Sequence, residues 1–300
     1  MPELPEVETV RKGLNQLTLE QEIEGGEVLC DRRPSGWSHS IAHPPSVDRF
    51  LQAVQGAKIR QWHRRGKYLL AELIRKRNSA GWLGVHLRMT GQLLWVAPGE
   101  PLAKHTRIRL EFRSQKELRF VDQRRFGRVW WVPPDVAPEK IITGLGKLGP
   151  EPLSEEFSVE YLRRTLERRK RPIKTALLDQ SFIAGLGNIY ADEALFLCGV
   201  HPETRCCDLS VSQWESLKSA VVQVLEDSLQ KGGTTFSHFL NVQGVNGNYA
   251  GVAWVYGRRG QLCRRCDTVI ERVKLGGRSS HFCPQCQSIT APSAVMGNRE

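Results

Sequence analysis

The hydrophobic positions of this chain change period along its length. At the start, Val7, Val10, Leu14 and Leu17 recur at helical spacing and predict a helix over 3–15. From 22 to 132 the pattern shortens to that of strands. YLLAEL (68–73), GWLGVHL (81–87), RIRLEF (107–112) and RVWWV (128–132) are short, β-rich and bounded by turn residues. RIRLEF alternates cleanly, with Ile108, Leu110 and Phe112 on one side. One interruption over 47–57 reads as helix and carries Phe50, Leu51 and Val54. Several short strands in succession predict a sandwich or barrel.

The pattern shifts after PPDVAP (133–138) and a second loop, LGPEP (148–152). Beyond them it is helical. Ser158 is placed to cap a helix through Leu162 and Leu166; a second covers 174–180; a third begins at Asn188. A long helix starts near Ser210, with Trp214, Leu217, Val221, Val224, Leu225 and Leu229 as its stripe, and stops at Gly232 and Gly233. There is no internal repeat. The expected class is α+β: a β-sandwich domain flanked by helices (1–134), a linker (135–152), a helical domain (153–252), a C-terminal β-hairpin module (253–287) and a polar, frayed tail (288–300).

Charge narrows the partners. The 300 residues carry a net charge of +11, with a pI near 9.5, which points to an anionic partner. No apolar run reaches the length of about 18 residues that a membrane span needs. The start lacks the basic and apolar regions of a signal peptide, so the expected compartment is the cytoplasm. Of the eight cysteines, Cys30, Cys198, Cys206 and Cys207 show no pairing pattern and read as reduced thiols. The other four, Cys263, Cys266, Cys283 and Cys286, form two CxxC knuckles spaced for one tetrahedral zinc. Four protein ligands leave no open position, so such a metal is structural. Between the knuckles, ERVK (271–274), Gly276, Gly277 and Arg278 make a basic hairpin tip that either approaches a phosphate or is a solvated turn.

Other segments carry candidate chemistry. In GLGNIY (185–190), two glycines permit a tight turn and Asn188 opens a helix whose N–H groups can take a phosphate. Upstream, 163–174 holds seven basic residues against one Glu. That run suits a phosphate backbone, or is a solvated face. Lys67 sits at the mouth of a strand. Met89 and Phe126 lie in turns flanked by Arg or Gly, and each is either a core plug or a wedge between base pairs. The first eight residues, MPELPEVE, are the most suggestive. Removal of Met1 leaves Pro2 a secondary amine that titrates near neutrality and can attack a carbon to form an iminium. Glu3 and Glu6 are at hand to move protons. The alternative is an ordinary helix start with Pro and Glu in its first turn.

Taken in order, PELPEVET, RRGKYLL, HLRMTG, DQRRFG, LGPEPL, GLGNIY, GGTT and the cysteine module resemble the formamidopyrimidine-DNA glycosylase family, over Pro2 to about Gln287. The related endonuclease VIII family usually begins PEGPE, and Leu4 favours the purine branch. The resemblance implies a sandwich, a helix–two-turn–helix domain and a zinc finger, with double-stranded DNA in a basic cleft and a single structural zinc as cofactor. It implies a monomeric, bifunctional glycosylase and abasic-site lyase of base excision repair, acting on oxidised purines in the bacterial cytoplasm.

By position, the resemblance makes Pro2 the nucleophile at C1′, Glu3 the acid, and Glu6 the support of the N-terminus. Lys67 binds phosphate and assists elimination. Met89, Arg124 and Phe126 fill the gap left by a flipped nucleotide, and Arg124 reads the opposite base. Asn188, Tyr256 and Arg278 grip phosphates, while His105, Arg125 and Lys170 are further DNA contacts. Residues 234–251 match a lesion-capping loop. Two rivals stand beside this reading. A non-catalytic zinc-ribbon DNA-binding module leaves PELPE and Lys67 without a role. A glycosylase for oxidised pyrimidines is opposed by Leu4 and the lesion loop.

Overall fold

The computed structural model describes residues 1–29, 38–234, 242 and 249–288, and the statements below concern those residues. Helix α1 (Leu4–Leu17) buries Leu4, Val7, Val10 and Leu14, the apolar stripe of its sequence. The Thr18 hydroxyl closes the helix by donating to the Leu14 carbonyl at 2.8 Å and accepting from Trp62 Nε1 at 2.9 Å.

Nine strands follow, interrupted by one helix: β1 (Ile23–Val28), β2 (Ile41–His43), α2 (Val47–Val54), β3 (Lys58–Arg65), β4 (Tyr68–Arg75), β5 (Asn78–His86), β6 (Gly91–Val96), β7 (Thr106–Phe112), β8 (Lys116–Asp122) and β9 (Arg128–Val132). They form two sheets, ordered β1-β7-β8-β6 and β2-β9-β5-β4-β3. All pairings are antiparallel except β2 with β9. One core joins the sheets: Ile108, Leu110 and Phe120 from the first lie with Leu69, Leu83 and Val129 from the second, together with Phe50 of α2. This is the expected sandwich. Between the inward residues of β7, Arg109 points out and pairs with Glu27 at 2.7 Å and Glu111 at 3.0 Å. Behind the second sheet, α3 (Pro138–Ile141) and the turn after it bring Ile142 and Leu145 onto Tyr68, Leu70 and Val132. Gly84 permits that approach, because a Cβ there would meet Ile142 at 2.5 Å.

The contacts divide the chain into two units: 1–148 with 228–251, and 149–227 with 252–300. The second unit contains α4 (Val159–Leu166), α5 (Ile173–Leu177), α6 (Asn188–Leu197) and most of α7 (Val211–Gln230). Its hairpin is β10 (Glu271–Leu275) and β11 (Arg278–Phe282). Ser158 caps α4 by accepting the Tyr161 N–H at 3.1 Å, as its position predicts. Helix α5 is shorter than the expected 174–180, because Asp179 diverts the chain into a turn by accepting the Ser181 N–H at 3.1 Å. Among the described residues no helix is long and apolar enough to cross a membrane. Most of the 234–251 loop, the 289–300 part of the tail and Cys30 lie outside the described residues.

Candidate active site

Pro2, Glu3 and Glu6 are all buried at the head of α1. The positive end of a helix favours carboxylates there. Glu6 uses both oxygens. Oε2 accepts the Glu3 N–H and Oε1 accepts the Thr234 N–H, each at 2.8 Å. One side chain thus fixes the first turn and the foot of the 234–251 segment together. The second of the two glycines that end α7 has a further task here. Gly233 has φ +84°, and a Cβ on it would lie 3.0 Å from Glu6 Oε1. The sequence shows the pair only as a helix stop.

Lys67 is 5 % exposed and follows Gly66, which turns β3 into β4 with φ +54°. This turn is fastened to α1. Arg64 Nε meets Glu8 Oε2 at 3.0 Å, and Arg11 meets Glu8 Oε1 at 2.6 Å. Burial by itself raises the Glu8 carboxyl, but the hydrogen bonds and charges of Arg11 and Arg64 outweigh it and hold the group below the usual carboxylate range. The helix that follows Pro2 and Glu3 and the turn bearing Lys67 are therefore held in fixed register.

His86, which sequence reasoning passed over, closes β5 in the same unit. Burial, then the charges of Arg88 and Lys67, push it down to about 3. It is neutral at physiological pH. Nδ1 accepts the Arg88 N–H at 3.0 Å, so the ring proton sits on Nε2 as a donor. The signal available was its place at a strand end, at the head of HLRMTG.

Met89 and the pair Arg124 and Phe126 lie in the turns after β5 and β8. Phe126 is 49 % exposed, which rules out a core plug. The Arg124 guanidinium lies 4.9 Å above its ring, and Met89 is half-buried. Arg125 is exposed, and His105 is half-buried just before β7.

In the second unit, Gln180 builds the turn before α6. Its Oε1 accepts the Gly185 N–H at 3.1 Å and its Nε2 donates to the Leu186 carbonyl at 2.8 Å. Gly185 takes φ +82°. Asn188 is then the first residue of α6, and its Oδ1 is buried with no hydrogen-bond partner among the described residues.

Helix α6 is buried on nearly all sides, so its two acids need internal partners. Asp192 meets Lys174 Nζ at 2.5 Å and His281 Nδ1 at 3.0 Å, and Lys174 also donates to the Ser279 carbonyl at 2.6 Å. Glu193 accepts the N–H groups of Trp254, Val255 and Tyr256 at 2.7–2.9 Å. These acids dock the hairpin and the Tyr256 turn onto α6. They were not singled out in the sequence, where the visible signal was an acidic pair inside an apolar helix. Gly276 and Gly277 both have positive φ and form the two-residue hairpin tip, which leaves Arg278 exposed at the start of β11. Lys170 is exposed beyond α4.

The Sγ atoms of Cys263, Cys266, Cys283 and Cys286 all lie within 4.8 Å of one another, with pairs at 3.4 and 3.9 Å. A tetrahedral zinc with sulfur bonds of about 2.3 Å sets sulfurs about 3.8 Å apart, so the cluster fits. These four thiolates hold one structural zinc. Arg265 braces the first knuckle, with its guanidinium 4.5 Å over Phe196 and 5.3 Å over Trp254. Among the described residues, Cys198, Cys206 and Cys207 are unpaired, and burial pushes the first two thiols up to about 12 and about 11.

Comparison with known proteins gives a consistent set. Residues 1–129 match the formamidopyrimidine-DNA glycosylase N-terminal domain, 148–239 the H2TH domain of the same glycosylase, and 260–289 the zinc finger found in FPG and IleRS. The formamidopyrimidine-DNA glycosylase of Nostoc punctiforme is 64% identical over 289 residues, covering 96% of this chain and 97% of that protein. Two Lactococcus lactis structures, each 32% identical and covering 96% of this chain and 100% of their own, superpose with TM-scores of 0.84 and 0.83. One is the wild-type glycosylase with N7-benzyl-Fapy-dG DNA, the other the same protein with an oxidised pyrimidine in DNA.

Proposed function

The chain belongs to the formamidopyrimidine-DNA glycosylase family, and on that premise we propose how its own residues carry out the reaction. It is a bifunctional DNA glycosylase and abasic-site lyase of base excision repair, acting on oxidised purines such as 8-oxoguanine and formamidopyrimidines in double-stranded DNA. The damaged nucleotide is flipped out of the stack. With Met1 removed, the Pro2 nitrogen attacks C1′ and the bond to the base breaks. Glu3 supplies the proton that opens the sugar and helps expel the base. The resulting Schiff base acidifies the sugar; β-elimination releases the 3′ phosphate and δ-elimination the 5′ phosphate, cutting the strand on both sides. Lys67 holds phosphate and assists elimination, and Glu6 keeps the N-terminus in place.

Met89, Arg124 and Phe126 occupy the vacated space. Asn188, Tyr256 and Arg278 hold phosphates near the lesion, and His105, Arg125 and Lys170 extend the contact. Catalytic work falls to 1–134, joined by 135–152 to the helical segment 153–252 with its lesion-capping loop, then the finger (253–287) and tail (288–300). The enzyme acts as a monomer on the nucleoid in the bacterial cytoplasm, a reducing compartment that suits the unpaired Cys198, Cys206 and Cys207.

The observation that carries this reading is the double use of Glu6, which fixes a buried Pro2–Glu3 head against the base of the loop at Thr234. The experiment separates two activities. Glu3→Gln keeps the shape and removes the ionisable proton, so base release should fall by about a hundredfold, within the range for a general acid. Cleavage at a pre-formed abasic site should persist, since that substrate has already lost its base. Equal loss of both would make Glu3 structural or assign it to a shared step. The Lactococcus lactis complex with an oxidised pyrimidine favours a second substrate class. Parallel excision from 8-oxoguanine and thymine glycol duplexes ranks the two.

A further inference from the structure

One buried carboxylate ties together every loop assigned above to filling the duplex. Asp122 ends β8 and is fully buried. Its Oδ1 accepts the Thr90 hydroxyl at 2.5 Å and the Arg124 N–H at 3.2 Å, and its Oδ2 accepts the Gly127 N–H at 2.7 Å. Thr90 Oγ1 in turn accepts the Arg124 N–H at 3.0 Å. The backbone of Asp122 is used as well: its N–H donates to the His105 carbonyl at 3.0 Å, and its carbonyl accepts Arg107 Nε at 2.8 Å. One residue thus touches the loop of Met89, both ends of the Arg124–Phe126 loop and the segment of His105.

The two loops also share a strained backbone. Arg88 (φ +54°) and Arg125 (φ +58°) are both left-handed, a conformation that non-glycine residues keep only when the surroundings dictate it. Gly127 is confined too, since a Cβ would lie 3.0 Å from Asp122 Oδ2 and 2.4 Å from Phe120 Cζ. Exposed Arg and Phe side chains on short loops need a fixed base if they are to enter a stack in one register.

We propose that Asp122 is the positioning residue of the void-filling set: with Thr90 it fixes the spacing between the Met89 and Arg124–Phe126 loops, and so governs reading of the opposite base. This rests on the roles given above to Met89, Arg124 and Phe126. An Asn at position 122 has the same shape, but its NH2 group faces donors where the carboxylate faced them. One loop must then release.

The test compares single-turnover excision of 8-oxoguanine opposite cytosine and opposite adenine, with cleavage of a pre-formed abasic site in single-stranded DNA as the control that needs no void filling. In Asp122→Asn, duplex excision should slow roughly tenfold, the scale of a lost buried hydrogen bond to a charged group, and the cytosine-to-adenine ratio should move toward one. The single-strand reaction should stay within about twofold of wild type, because it bypasses these loops. Thr90→Val should show a smaller change in the same ratio, and Thr90→Ser should restore it. A wild-type ratio preserved in both Asp122→Asn and Thr90→Val overturns the inference. If Asp122→Asn does not fold, Thr90→Val decides in the same way. A wild-type enzyme that makes no distinction between the two partners contradicts the void-filling roles themselves, which separates that failure from this one.

Discussion

Replacing Pro2 by glycine should leave the protein folded and bound to lesion DNA while slowing base excision and strand cleavage together by about a hundredfold. Glycine still offers an amine, so nucleophilicity is reduced less than orientation. The pyrrolidine ring fixes φ and presents its nitrogen along one direction; a glycine nitrogen samples many. Pro2 is buried at the start of α1, where Glu6 has already used its oxygens to hold the neighbouring N–H and Thr234. Single-turnover kinetics beside a binding titration check this. Loss of binding in proportion to rate would make Pro2 a structural residue.

A comparable loss should follow at the other end of the chain. Cys283 is fully buried and packs with Phe196, Val255 and Ile270 in the core beneath the finger. Two five-residue strands have too little apolar surface to hold their shape, so metal binding is coupled to folding of the hairpin. Cys283→Ser should abolish zinc retention and DNA binding and leave the β-sandwich folded. Arg278→Ala should keep zinc by elemental analysis yet weaken binding, and flatten the log–log salt dependence by about one unit, as loss of one phosphate contact does. An unchanged slope and affinity in Arg278→Ala would make the finger a clasp with no hold on DNA.

Much of this architecture is legible in the sequence, for local reasons. Helix α1 and strand β7 bury one face each, so their apolar periods are clean. Strand β3 is not, because it is a sheet edge with a register shift between Ile59 and Gln61, and its polar run KIRQWHRR hides the alternation. Strand β1 is obscured by Gly25, Gly26 and a shift of its own. The zinc ligands are legible because their spacing is the signal. What cannot be read is any partner set by long-range closure. Glu6 meets Thr234 across 228 positions, and Asp192 meets His281 across 89. Asp122 and His86 look like ordinary strand-end residues until their neighbours are in place. The motif order, through the family resemblance, supplies the site roles that periodicity does not.

The central claim is that catalysis runs through a covalent bond from the Pro2 nitrogen to C1′ of the damaged nucleotide. Borohydride reduction during reaction with a duplex carrying 8-oxoguanine opposite cytosine, followed by peptide mapping of the adduct by mass spectrometry, tests it directly. The account predicts one trapped product, with the sugar on an N-terminal peptide that begins at Pro2 and lacks Met1. No adduct on a duplex the protein demonstrably cleaves, or an adduct mapped to Lys67, would contradict it.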